Sequence, residues 1–187
     1  MQRENILNLL TDYNPADQDE IKFKSAMLDF INNNEIISGK QNKSGHLTGS
    51  AFITNDDFSE ILLLHHAKLD KWLQPGGHSE IGELLSDTAI REAVEETCLS
   101  HFRFGQEGIF DVDIHPFPAR NGEPEHFHYD IRFLLIADRN QNLQFNSESR
   151  NLCWVKLDEI HNYTTSRSIL RMVSKLKTIA EISNQDQ

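Results

Sequence analysis

The chain has 187 residues, 38% of them apolar, enough for one sizeable core and short of what two independent domains use. Its formal net charge of -11 argues against capture of nucleic acid polymers or anionic membranes, because phosphate backbones reward clustered Lys and Arg. Cys98 and Cys153 make neither a disulfide framework nor a zinc-type spacing, and no apolar run has the length of a membrane span or leader, so a cytoplasmic protein with cations or small ligands as partners is expected.

Helical spacing predicts helices over 2–11, from Ile6, Leu9 and Leu10, and over 17–32, from Ile21, Phe23, Met27, Leu28 and Ile31, with Asn32, Asn33 and Asn34 ending the second. The polar stretch "EIISGKQNKSG" reads as a short linker, so residues 1–44 form a helical extension and 45–187 the main domain. Packing on the domain, covering a cleft and forming a homodimer contact all remain open for that extension. From His46 the pattern changes to short β runs at 46–54 and 60–66 and a brief "KWLQ". Beyond the Gly76 region come three more, at about 102–115, 125–137 and 151–156, and then a helix over 166–182 with Ile169, Leu170, Val173, Leu176 and Ile179 on one face. No internal repeat or low-complexity tract interrupts them. Trp72 and Trp154 are expected to pack on sheets, and His65, His66 and His78 to be hydrogen-bonded bystanders.

Between the runs lies "GGHSEIGELLSDTAIREAVEETCL", in which Glu80, Glu83, Asp87, Glu92, Glu95 and Glu96 surround one base, Arg91. "PGGHSEIGE" reads as an irregular loop and "SDTAIREAVEET" as a helix that Ser86 is placed to cap. On it Glu92, Glu95 and Glu96 stand at i, i+3 and i+4, three carboxylates on one face, while Ala89, Ile90, Ala93 and Val94 form apolar rows that can pack on a sheet. A solvated acidic face is the plain alternative. One Arg cannot balance the charge, whereas a hard divalent cation, Mg²⁺ or Mn²⁺, takes several carboxylates together.

The same residues resemble the Nudix box, G, five residues, E, seven residues, R-E-U-x-E-E-x-G-U, through Gly77, Glu83, Arg91, Glu92, Glu95, Glu96 and Leu99. Ala93 is smaller than the usual aliphatic residue, and Cys98 stands where glycine normally ends the helix, a left-handed position that costs a non-glycine about 1 kcal/mol. "WLQPGGHSEIGE" and "LCWVKLDEI" extend the resemblance over roughly 46–160. It implies the α/β (α+β) Nudix fold, a mixed β-sheet sandwiched between helices, here with an N-terminal helical extension. It also implies a metal-dependent pyrophosphohydrolase that cleaves a nucleoside diphosphate linked to another group, a small nucleotide-type substrate, by attack of water on phosphorus. Carried onto this chain, Glu92, Glu95 and Glu96 become ligands of Mg²⁺ or Mn²⁺ with the Gly77 carbonyl, and Arg91 with Glu83 braces loop against helix. Glu96, Glu95 and Glu148 stay open as the general base. A Nudix-like ligand-binding or regulatory domain without hydrolysis is the competing reading.

A second pattern stands outside the box. Asp111, Asp113 and His115 alternate with apolar residues, as do His126, His128, Asp130 and Arg132. Joined as a hairpin through Pro116, Pro118, Gly122 and Pro124, with His115 near His126, Asp113 near His128 and Asp111 near Asp130, they make one polar face. That face is read as a substrate-contacting surface or an accessory metal site, against the plain alternative of a wet sheet face. The "HFHYD" strand is similar to the H-x-H-x-D strand of a bacterial Nudix subgroup.

Overall fold

The computed structural model describes residues 2–39, 41–119 and 124–185. In chain order it contains α1 (Gln2–Asp12), α2 (Gln18–Asn33), β1 (Gly45–Thr54), β2 (Glu60–His66), β3 (Lys71–Leu73), β4 (Gly76–His78), α3 (Leu85–Thr97), β5 (Arg103–Phe104), β6 (Asp111–Phe117), β7 (His126–Ile136), β8 (Ser149–Lys156), a 3₁₀ turn (Ile160–Asn162) and α4 (Arg167–Gln185). The fold is mixed α+β, and among the described residues no helix is long and apolar enough to cross a membrane. The chain divides into two compact units that share β1, β7 and α3.

The first unit comprises Met1–Ser50, Gly76–Ile90 and Gln106–Phe133. Its helices bury Ile6, Leu10, Met27 and Ile31, as the helical spacing predicts, but Ile21 is 48% exposed. Its neighbour Glu20 goes inside instead, because the Tyr13 hydroxyl donates to its carboxylate at 2.8 Å, and the Asp17 side chain caps α2 by accepting from the Glu20 amide at 2.9 Å. Phe30 of α2 stacks on Tyr129 of β7 with ring centroids 4.0 Å apart. The linker also contributes, since the Leu47 amide donates to the Ile37 carbonyl at 2.8 Å.

β4 corrects the expectation of an irregular loop after Pro75. Gly76, Gly77 and His78 pair antiparallel with Ser50, Gly49 and Thr48. Glycine permits it: a Cβ on Gly76 would come within 2.1 Å of Ser50 Oγ and 2.9 Å of Ser50 Cα, so only a bare backbone lies this close. The β6–β7 hairpin forms, with its register two residues away from the expected one. His115 faces His128, Asp113 faces Asp130 and Asp111 faces Arg132, because β6 runs on through Pro116 and Phe117 to pair with Phe127 and His126. Proline is tolerated there because β7 is the strand with which β6 pairs among the described residues, leaving the proline an edge position. Gly122 of the expected connection lies outside the described residues. A shift of two keeps every side chain on its predicted face.

The second unit comprises Ala51–Pro75, Arg91–Gly105 and Leu134–Gln187. Here β2 pairs with the end of β1, with β3 and with β8, and β5 pairs with the end of β7. Leu62, Leu63, Leu64 and Val155 of these strands and Ile169, Met172 and Leu176 of α4 are buried core. Trp72 packs at the sheet as expected, stacked on His65 at 5.0 Å and edge-on to Tyr163 at 5.3 Å.

α3 begins at Leu85, one residue before Ser86, which therefore sits inside the helix and is not its cap. Ala89 and Ala93 are fully buried, while Val94 is 39% exposed and leaves the apolar rows. The helix stops at Thr97, with Cys98 at φ 58° and its amide still bonded to the Val94 carbonyl at 2.9 Å. A left-handed cysteine thus occupies the place where glycine would end the helix without strain.

Candidate functional site

The box residues fall in both units, Gly77 and Glu83 in the first and Arg91, Glu92, Glu95, Glu96 and Leu99 in the second. In the first, Glu83 holds the loop before α3: its Oε2 accepts from the Glu80 amide at 3.0 Å and from Thr88 Oγ1 at 2.8 Å. Gln2 clamps the same loop, donating to the Glu83 carbonyl at 2.6 Å and accepting from the Gly82 amide at 3.2 Å. Gly77 lies in β4 opposite Gly49.

In the second unit Arg91 Nη1 donates to Glu92 at 2.8 Å and reaches Glu95 at 3.4 Å. The three carboxylates differ in exposure: Glu92 keeps 16% of its side chain exposed and Glu95 54%, and Glu96 is 5% exposed overall. Burial pushes the Glu92 carboxyl above its ordinary value; Arg91 opposes this, and the neighbouring charges of Glu95 and Glu148 add to the rise. Glu148 therefore lies within electrostatic reach of Glu92. Its loop is tied to the end of α3 by Asn146 Nδ2 donating to the Glu95 carbonyl at 3.1 Å and by the Gln144 amide donating to the Thr97 carbonyl at 3.0 Å. Glu92, Glu95 and Glu96 on one helix, with Glu148 nearby, thus offer several oxygen donors together, which suits a hard divalent cation.

The polar face of the hairpin separates into two halves within the first unit. Asp111, Asp113 and Asp130 gather around Arg132, which is 3% exposed: Nε donates to Asp130 at 2.7 Å, Nη1 to Asp111 at 3.2 Å and Nη2 to Asp113 at 3.1 Å. Asp130 Oδ1 also accepts from Thr48 Oγ1 at 2.8 Å and Ser50 Oγ at 2.7 Å. Burial alone would lower the guanidinium pKa, and the three carboxylates, Asp130 foremost, reverse this and raise it. This half is a buried charge network, with Asp111 fully buried and Asp130 2% exposed.

The other half is built of histidine. His126 and His128 of β7 are 7% and 8% exposed, and their Nε2 atoms lie 3.2 Å apart. His46 of β1 and His78 of β4 join them, with centroids 4.5 Å from each other and 4.9 and 5.0 Å from His128. His115 stands beside the group, 5.4 Å from His128, with Nδ1 3.3 Å from Asp113. Sequence reasoning set His78 aside and did not single out His46. The available signal was the alternation of His46, Thr48 and Ser50 along β1, the same two-residue period as in β7.

Comparison with known proteins agrees with this fold and this loop–helix arrangement. Residues 46–175 match the NUDIX domain family. A curated relative from Lactococcus lactis, named "Probable DHNTP pyrophosphohydrolase", is 31% identical over 140 residues, 74% of this chain and 81% of the relative. Among solved structures, a C. elegans Ap4A hydrolase is similar at a TM-score of 0.57 and 19% identity, covering 71% of this chain and 95% of that one. An E. coli dihydroneopterin triphosphate pyrophosphohydrolase is similar at 0.52 and 17%, covering 75% and 97%. These two support the fold. Since the family's domain extends from β1 into α4 and includes the loop and helix that carry Glu83, Arg91, Glu92, Glu95 and Glu96, this chain belongs to the NUDIX family and is a Nudix hydrolase.

Proposed function

We propose that the chain is a divalent-metal-dependent pyrophosphohydrolase acting on a small nucleotide-type substrate in which a diphosphate is linked to a further group. The observation that carries this reading is the grouping of Glu92, Glu95 and Glu96 on one helix face with Glu148 close enough to raise the Glu92 carboxyl. All four offer oxygen, the donor that Mg²⁺ and Mn²⁺ prefer. Bound there, such an ion would neutralise phosphate charge and make a water more acidic.

The residues themselves divide the remaining work. Arg91 holds Glu92 and Glu95 in place from the same helix. Among the candidates for general base, Glu95 and Glu148 are exposed and meet solvent, whereas Glu96 is 5% exposed and suits a fixed ligand. Glu83 keeps the loop folded against the first turn of α3 through Thr88. The curated relative's name adds DHNTP, a triphosphate of a fused heterocycle, to the substrates worth testing.

The test is a turnover screen with Mg²⁺ or Mn²⁺ over nucleoside diphosphate sugars, dinucleoside polyphosphates, NADH, ADP-ribose, nucleoside triphosphates and DHNTP, with the phosphorus products separated by ion chromatography. Hydrolysis of at least one compound, lost in Glu96→Gln, is the expected result. Full activity of Glu96→Gln, or activity unchanged by a chelator, would refute the proposal.

A further inference from the structure

The four-histidine group takes no part in the hydrolytic reading, which uses carboxylates alone. We propose that His46, His78, His126 and His128 form a binding site for one borderline transition-metal cation, of the Zn²⁺ class, that ties β1, β4 and β7 together within the first unit.

The geometry carries this. One ligand atom from each of the four rings lies within 4.8 Å of every other. In a tetrahedral site with bonds of about 2.0–2.1 Å, ligand nitrogens stand about 3.3 Å apart, and the two Nε2 atoms of His126 and His128 are 3.2 Å apart. Rings aimed at one such ion would have centroids about 5 Å apart. The observed separations are 4.5 Å for His46–His78, 4.9 Å for His46–His126 and His46–His128, 5.0 Å for His78–His128 and 5.1 Å for His126–His128.

Protonation points the same way. The Pro124 carbonyl, 2.9 Å from His126 Nδ1, can only accept, so in the neutral ring the proton sits on Nδ1 and Nε2 turns its lone pair towards His128. The other ring nitrogen of a metal-bound histidine is usually held in this way.

The donor set also selects the ion. Imidazole nitrogen suits Zn²⁺, Cu²⁺, Ni²⁺ and Co²⁺, whereas Mg²⁺ and Mn²⁺ favour oxygen. The nearest carboxylates on this face, Asp111, Asp113 and Asp130, are engaged by Arg132. The site therefore differs in chemistry from the box, and Mg²⁺ does not compete for it. A cluster of neutral rings bonded N–H to N, with no ion, is the alternative that experiment must separate.

Chelator-treated full-length protein titrated with Co²⁺ makes the test, because four-coordinate Co²⁺ absorbs strongly in the visible and six-coordinate Co²⁺ weakly. One Co²⁺ per chain with the four-coordinate spectrum is expected, displaced by Zn²⁺, indifferent to excess Mg²⁺, and retained when Glu92, Glu95 and Glu96 are all changed to Gln. His126→Asn with His128→Asn should abolish the band. His78→Ala, a change at the end of a three-residue strand and only half-buried, should weaken binding about tenfold or more while the protein stays folded by circular dichroism, and it decides the matter if the double variant fails to fold. Absence of the band, a weak spectrum quenched by Mg²⁺, loss of the band in the triple Glu variant, or undiminished binding in His78→Ala would overturn the proposal.

Discussion

Replacing Arg132 with Met should cost far more than its place on a strand surface suggests. Arg132 is 3% exposed and meets Asp111, Asp113 and Asp130, whose side chains are 0%, 14% and 2% exposed. Methionine fills much of the same volume and takes the guanidinium away from all three carboxylates, while Asp130 keeps the hydroxyls of Thr48 and Ser50 and Asp113 keeps His115 Nδ1 at 3.3 Å. Removing one partner from a buried ion pair typically costs about 3–5 kcal/mol. For a chain of this length each kcal/mol moves Tm by about 2–4 °C, so a fall of about 6–20 °C is expected. Urea unfolding followed by the fluorescence of Trp72 and Trp154 gives the free energy directly, and Asp130→Asn added to Arg132→Met should recover part of it by removing one stranded charge. A loss below about 1 kcal/mol, accompanied by a raised KM, would refute the assignment of this cluster to the core and return the three aspartates to a substrate-contacting surface.

Cys98→Gly should stabilise the chain by about 0.5–1 kcal/mol, read as a higher Tm, because the exposed thiol is lost while the φ of 58° stops costing strain. Gly76→Ala should destabilise by about 1–3 kcal/mol, measured by urea unfolding, because its Cβ would meet Ser50 within 2.1 Å on a paired strand. With a chelator present, stability should fall as pH drops below the ordinary histidine value of 6.5. His128 is held down to about 2 in the fold, so the unfolded chain binds the extra proton over that window, worth at most about 1.4 kcal/mol per pH unit from this one ring. His128→Asn should flatten that slope in urea midpoints taken between pH 8 and 5.

The helices and most strands could be read from the sequence because each carries its own period: α1, α2 and α4 repeat apolar residues at helical spacing, and β2, β7 and β8 fall where short apolar runs end in turn formers. β4 has no such signature. Its three residues are Gly, Gly and His, and the strand exists through close approach to Ser50, a tertiary effect. The hairpin's face was legible and its register was not, since "HPFP" reads as a turn while an edge strand accepts Pro116. Alternation could not tell a wet face from a buried one. Arg132, in phase with Asp130, was the local hint that the aspartates had a partner inside. The grouping of His46 with His78 joins residues on different strands, and no spacing rule connects them before the sheet is known. The box carboxylates were legible as a group, while Glu148 enters through a loop whose ties to α3 are made by Asn146 and Gln144.

The stack of Phe30 on Tyr129 sets an order on the making of this protein. During synthesis α1 and α2 emerge about a hundred residues ahead of the strand against which Phe30 stacks, a wait of roughly 5–20 s at ribosomal speed. Gln2 waits nearly as long for Gly82 and Glu83. Until then the helix pair that buries Ile6, Leu10, Met27 and Ile31 in the finished fold lacks the ring on which Phe30 stacks. A nascent chain paused before β7 thus presents an amphipathic helix pair, still without its stacking partner, to whatever waits at the ribosome exit.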